Sequence, residues 1–216
     1  MKEIIVIGCG RFGESVSKTL TKLGHDVMVV DKNYDTIKEI AEYVAHAAQM
    51  DALDEASFKT IGLRNFDVAI VAIGSDIEAS IMATLIAKEA GVPLVIAKAQ
   101  HQIHGKLLMK IGADKVVYPE RDMGMKVAYS LVTPNILDII DFSSDYSIIE
   151  TIALEKWENK TISELNLSRL NGIMVIAIKT GEKINIVPTF DTTIYKDDVV
   201  VILGENSKLK KISEME

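Results

Sequence analysis

Cysteine occurs once in the 216 residues, as Cys9, and proline only four times. A single thiol excludes an internal disulfide framework and a zinc site of clustered cysteines, and it suits a reducing compartment. With 48% hydrophobic and 25% charged residues, disorder and low complexity are excluded too. No apolar run approaches the roughly 18–20 residues that span a bilayer. The longest, Val68–Ile73 and Ile173–Ile178, are strand-sized. Met1-Lys2-Glu3 runs straight into a strand and leaves no room for a signal peptide. A basic patch is missing as well. The net charge is −7, and residues 1–140 and 141–216 are each mildly acidic, at −3 and −4. That balance argues against nucleic acid as a partner. The chain reads as soluble and cytoplasmic.

What is present is alternation. Buried-strand candidates fall at Ile4–Ile7, Val27–Val30, Ala45–Ala48, Val68–Ile73, Leu94–Ala97 and Val116–Tyr118. Their apolar character suits strands covered on both faces. Amphipathic stretches lie between them at Phe12–Leu23, Ile37–Tyr43, Ile77–Ala90 and His104–Ile111, and three end at or near Gly24, Gly91 and Gly112. This pattern predicts an α/β fold, a Rossmann-like doubly wound parallel sheet, over residues 1–121. Residues 122–140 read as a hinge of helix interrupted at Thr133-Pro134-Asn135. Residues 141–216 read as a small α+β domain. Its strands are expected at Ser147–Leu154, Met174–Lys179, Lys183–Val187 and Val199–Leu203, with short helices from Ser163 and Ser207.

The strongest motif is Gly8-Cys9-Gly10-Arg11-Phe12-Gly13, which follows a buried strand and opens a helix. In that context Gly8 makes the tight turn, Gly10 admits a pyrophosphate to the backbone, and Gly13 packs helix on strand. The helix start offers N–H groups and a partial positive charge to phosphate. Asp31, at the end of the second strand and followed by Lys32, is placed to accept hydrogen bonds from adenosine ribose hydroxyls. A 2′-phosphate would be repelled there. Gln49, Met50, Asp51 and Ala52 follow strand three, and Ile73, Gly74, Ser75 and Asp76 follow strand four, at the strand ends where such sheets bind ligands. Ser75 reads equally as a helix cap. Lys98, ending strand five, reads as a phosphate ligand or as a solvated lysine. Arg11 reads as a fork for a terminal phosphate or as surface. Cys9 reads as a steric choice between two glycines, and His101 and His104 as surface histidines.

Catalytic signatures are missing. There is no G-x-S-x-G, P-loop or H-E-x-x-H, and no histidine after residue 140. A nucleotide fold without machinery suggests that the nucleotide is the signal and that the protein is not an enzyme. The alternatives are an NAD-dependent oxidoreductase and a free-standing nucleotide or redox sensor.

Residues 5–13, Val30-Asp31, Arg64–Asp67, Val71–Gly74, Ala97–Gln100, Ile111–Asp114 and Pro119–Gly124 together resemble the cytosolic regulatory subunits of Ktr/Trk-type potassium uptake systems. These are RCK (KTN) domain proteins of TrkA-N plus TrkA-C architecture. The resemblance implies a homo-oligomer, a dimer built into an octameric ring. The ring docks on an integral-membrane potassium-translocating subunit at the inner face of the cell membrane. It implies ATP, ADP or NAD(H) in the cleft, with the Gly8–Gly13 loop and Asp31 as ligands and Arg11 on the terminal phosphates. By position, Glu120 would help hold a divalent or sodium ion there. In some relatives the C-domain binds cyclic di-AMP, and Ser168 aligns with the arginine used, with Arg169 one place later. The resemblance also places the dimer contact in Asp122–Ile140. That stretch carries Met123, Met125, Val127, Tyr129, Leu131, Ile136, Leu137, Ile139 and Ile140, an apolar load beyond one packed face.

Overall fold

The computed structural model describes residues 1–132, 135–167 and 172–213. They form two compact units, Met1–Arg121 and Asp122–Glu216.

The first unit alternates β1 (Glu3–Ile7), α1 (Arg11–Lys22), β2 (Asp26–Asp31), α2 (Tyr34–Ile40), β3 (His46–Gln49), α3 (Glu55–Thr60), β4 (Val68–Val71), α4 (Ile77–Glu89), β5 (Leu94–Lys98), α5 (Gln102–Lys110) and β6 (Lys115–Val117). Its six strands pair in parallel in the order β3-β2-β1-β4-β5-β6. Ile4, Ile5, Val6 and Ile7 are all buried, because β1 is central and covered on both faces. One face packs Ile5, Ile7, Val71 and Val95 beneath α4 and α5; the other packs Ile4, Val6, Val29 and Ile70 against Ile37 and Ile40 of α2. The strand order reverses between β1 and β4, which opens a crevice at their carboxyl ends.

Helix α3 is absent from the sequence expectation. It is under two turns long and polar but for Ala56 and Phe58, of which Phe58 is buried as its anchor. Asp54 caps it by accepting from the N–H groups of Ala56 and Ser57.

A helix α6 (Pro119–Val132) runs on from the first unit. Its expected continuation to Ile140 is corrected: β7 (Ile136–Asp141) is a strand. It pairs antiparallel with β8 (Tyr146–Ile152) and buries Ile136 in the second unit's own core, where Ile139 packs against it. After β9 (Lys160–Thr161) and α7 (Ile162–Leu165) come β10 (Ile173–Thr180), β11 (Lys183–Asn185), β12 (Thr193–Ile194), β13 (Val199–Glu205) and α8 (Asn206–Ser213). The main sheet runs β11-β10-β13-β8-β7, and β12 pairs with β9. Trp157, Ile194, Val200 and Ile202 fill this second core. No helix among the described residues is long and apolar enough to cross a membrane.

Candidate functional site

The crevice between β1 and β4 holds a cavity of about 230 Å³. Its floor is set by the turn after β1. Gly8 has φ +97°, a conformation that L side chains rarely adopt, and a Cβ there would lie 2.9 Å from Cγ1 of Ile73. The Gly8 N–H donates to the carbonyl of Val30 at 2.8 Å, which closes the turn onto β2. Gly13 lies on the far side of the turn. A Cβ at Gly13 would collide with the carbonyl oxygen of Gly8, so glycine is what lets α1 approach the strand.

Gly10 differs from both. Nothing lies within 4 Å of the Cβ it lacks, and no side chain caps the helix that it begins. The backbone N–H groups at the start of α1 are therefore offered to the crevice without a protein cap. Across the cavity, the Asp31 carboxylate accepts from the N–H of Cys9 at 2.6 Å and from the N–H of Asn33 at 2.8 Å. Two charge-assisted bonds thus fix its orientation, and a carboxylate has further lone pairs to give a ligand.

Ten of the residues expected from sequence line the cavity: Gly8, Gly10, Asp31, Lys32, Met50, Asp51, Ala52, Ile73, Gly74 and Ser75. Cys9, Arg11, Phe12, Gly13, Lys98 and Glu120 are not among its walls. Arg11 is exposed on the first turn of α1. Cys9 is 5% exposed, and burial with nearby Asp31 and Glu14 pushes its thiol up to about 11, so it stays protonated and fills space. Lys98 reaches Glu120, its Nζ 2.6 Å from Oε1. That bond, with a smaller contribution from Arg11, holds the Glu120 carboxyl below its ordinary value.

Asp76, the last residue of the expected loop after strand four, lines the cavity too, while sequence reasoning missed Ile7, Val30, Ala72 and Ala79, which complete the wall. All four are apolar and read as core. Asp76 is the more instructive case, because it and not Ser75 caps α4, accepting from the N–H of Ala79 at 3.0 Å. An Asp one place nearer the helix was the available signal. Of the two histidines read as surface residues, His101 is exposed and caps α5 by accepting from the N–H of His104, whereas His104 needs correction, because it is buried at 1% exposure.

The donor set fits an adenine nucleotide: a polar turn for phosphates, a fixed carboxylate for ribose, and apolar walls at Met50, Ala52 and Ala79. The Glu120 carboxylate, which the resemblance assigns to an ion, sits on Lys98, and among the described residues no three histidine, cysteine, aspartate or glutamate side chains are grouped to hold a metal. Ser168, which aligns with a cyclic di-AMP arginine, and Arg169 one place later lie outside the described residues.

The TrkA-N domain model matches residues 4–119 and the TrkA-C domain model matches residues 149–215. The chain belongs to the Ktr/Trk family. Ktr system potassium uptake protein C of Bacillus subtilis is 40% identical over 213 residues, which is 99% of this chain and 96% of that protein. Ktr system potassium uptake protein A of the same organism is 41% identical over 210 residues, 97% of this chain and 95% of its own length. Both TrkA domains are thus shared nearly end to end. Among solved structures, one titled GsuK channel bound to NAD matches with a TM-score of 0.67 at 19% identity. It covers 96% of this chain, which spans only 38% of that one. At that identity the likeness speaks for the TrkA-N plus TrkA-C fold.

Proposed function

We propose that this chain is the nucleotide-binding regulatory subunit of a potassium uptake system. On this reading it works in the cytoplasm, docked on a membrane-embedded potassium-translocating subunit. The observation that carries it is a relative 40% identical across 96% of its own length and named as a Ktr potassium uptake protein. The crevice supplies a mechanism for the regulation. ADP, ATP or NAD(H) would lay its diphosphate on the N–H groups beginning α1, while its ribose hydroxyls donate to Asp31. A solved structure of the same fold is the GsuK channel bound to NAD, which supports that ligand class. Arg11, exposed on the same turn, is the side chain we assign to a third phosphate, within the chain or across a subunit contact. A ligand shifts a conformational equilibrium only by its differential affinity for the two states, so a group that touches ATP and not ADP is what a gate needs.

On this reading the nucleotide is a signal and not a reagent, and the charged groups of the cavity walls, Asp31, Lys32, Asp51 and Asp76, serve to hold it. The reading includes assembly. Met123, Val127 and Leu131, spaced about one turn apart, are exposed on α6 and form the dimer face we infer, with a ring built from such dimers. Leu137 and Ile140 of β7 are exposed as well, whereas Ile136 and Ile139 of the original apolar stretch serve the second core.

The test replaces Bacillus subtilis Ktr protein C by this chain and measures potassium uptake, with Asp31→Ala alongside. Uptake restored by the native chain and lost with Asp31→Ala is the expected result. No uptake, with specific NADH turnover on a small substrate, would make the chain an oxidoreductase. Purified chain that binds nucleotide but retains no membrane partner would make it a free-standing sensor.

A further inference from the structure

Lys98 and Glu120 form a short ion pair, at 2.6 Å. The Lys98 side chain is only 12% exposed, whereas that of Glu120 is 64% exposed. The lysine's position explains why this matters. Its Nζ lies 5.9 Å from the ring centroid of Phe12, on the first turn of α1, and 3.3 Å from where a Cβ on Gly74 would stand. One of these neighbours belongs to the uncapped helix start and the other to the cavity wall. A recessed ammonium therefore stands between the two backbone segments that bound the anionic end of the crevice. The carboxylate on it comes from outside, from the second residue of α6.

A recessed lysine costs free energy unless an anion accompanies it. Within the chain that anion is Glu120. When a polyphosphate lies on the α1 turn, a second anion with more charge competes for the same Nζ. A carboxylate left beside phosphate is repelled by it, so the two anions do not share the lysine at equal cost.

We propose that Glu120 is an internal substitute for ligand phosphate, holding Lys98 until a nucleoside polyphosphate takes the lysine from it. The proposal rests on the nucleotide reading given above. It gives the site a threshold: ligands with more negative charge at the terminal end displace Glu120 more completely. It also couples occupancy to α6, since the released carboxylate stands in that helix's first turn.

The test is calorimetric titration of ADP and ATP, in chelator so that no cation bridges the anions, against the native chain, Glu120→Gln, Lys98→Met and the double variant. Glu120→Gln sits on an exposed side chain and keeps the fold, and Met keeps the packing of the lysine stem. Removing the competing acid should tighten ADP and ATP by about five- to tenfold, a size suited to a partly exposed pair. Lys98→Met should weaken both. In the Lys98→Met background the gain from Glu120→Gln should fall to less than about twofold. An unchanged or weakened affinity in Glu120→Gln would overturn the proposal. A gain of equal size with and without Lys98 would overturn it too, because Glu120 would then act by repulsion alone. If the native chain binds neither nucleotide, the underlying nucleotide reading fails, whereas failure of the exchange alone leaves the native titrations intact.

Discussion

The Asp31 carboxylate is held by the N–H groups of Cys9 and Asn33 before any ligand arrives. Its orientation therefore costs a ligand little to use, which is the meaning of preorganisation. Replacing Asp31 by alanine removes a charge-assisted acceptor worth roughly 1.5–3 kcal/mol, or about ten- to a hundredfold in affinity. ADP, ATP and NAD should weaken alike in titrations, since all three present the same ribose. A loss confined to one of them would move Asp31 away from the ribose. His104 supports a pH prediction at the same scale. Its Nδ1 accepts from the N–H of Gln100, while Nε2 is buried without a partner. Burial, aided by nearby His101, lowers its pKa, so the folded chain holds it neutral. The unfolded chain, near the ordinary value of about 6.5, binds that proton more readily. Stability should then be fully present above about pH 6.5 and fall as pH drops toward the depressed folded value. Urea midpoints measured from about pH 5 to 7.5 should show that slope, and His104→Gln should flatten it. A slope unchanged in the variant would assign the effect to other groups.

Between β1 and α1, three glycines that look alike in sequence have different duties. Alanine at Gly10 meets open space and costs less than about 1 kcal/mol at a helix N-cap, yet it fills the approach to the α1 N–H groups. Gly10→Ala should melt near the native temperature and lose nucleotide. Alanine at Gly13 meets the Gly8 carbonyl, so Gly13→Ala should lose more than about 2 kcal/mol of stability, with binding lost as a consequence. Thermal melts beside titrations separate the two, and equal destabilisation would mean that Gly10 is structural. The glycine motif was legible because buried parallel strands read as continuous apolar runs and the loop sits directly after one. Strand β7 was not. Its ladder shifts register between Ile136 and Asp138, which breaks the two-residue alternation. The remaining Ile136, Leu137, Ile139 and Ile140 then satisfy helical spacing as well as strand spacing. Strands β9 and β12, of two residues each, lie below the length at which a pattern exists. In the site, residues in the loops that follow β1, β3 and β4 were found, Met50, Ala52 and Ile73 among them, while Ile7, Val30, Ala72 and Ala79, within or directly beside the buried elements, were hidden because a cavity wall and a core share the same chemistry.

At the scale of the whole chain, the apolar clusters do not mix. Those flanking the parallel sheet draw on residues from Ile4 to Tyr118, and the third draws on residues from Ile136 to Leu209. Among the described residues each unit therefore has a core of its own. The cavity walls, from Ile7 to Ala79, lie entirely in the first unit, as do Arg11, Lys98 and Glu120. A fragment of residues 1–132 should therefore fold on its own, melt cooperatively, and bind ADP within about threefold of the full chain. Regulation should not survive the cut. If occupancy acts through α6 on the second unit, the fragment must bind nucleotide and fail to restore potassium uptake. A fragment that folds yet binds ADP more than about tenfold weaker would show that residues beyond Val132, or a second copy held by them, complete the crevice. A fragment that restores uptake would remove the TrkA-C unit from the mechanism.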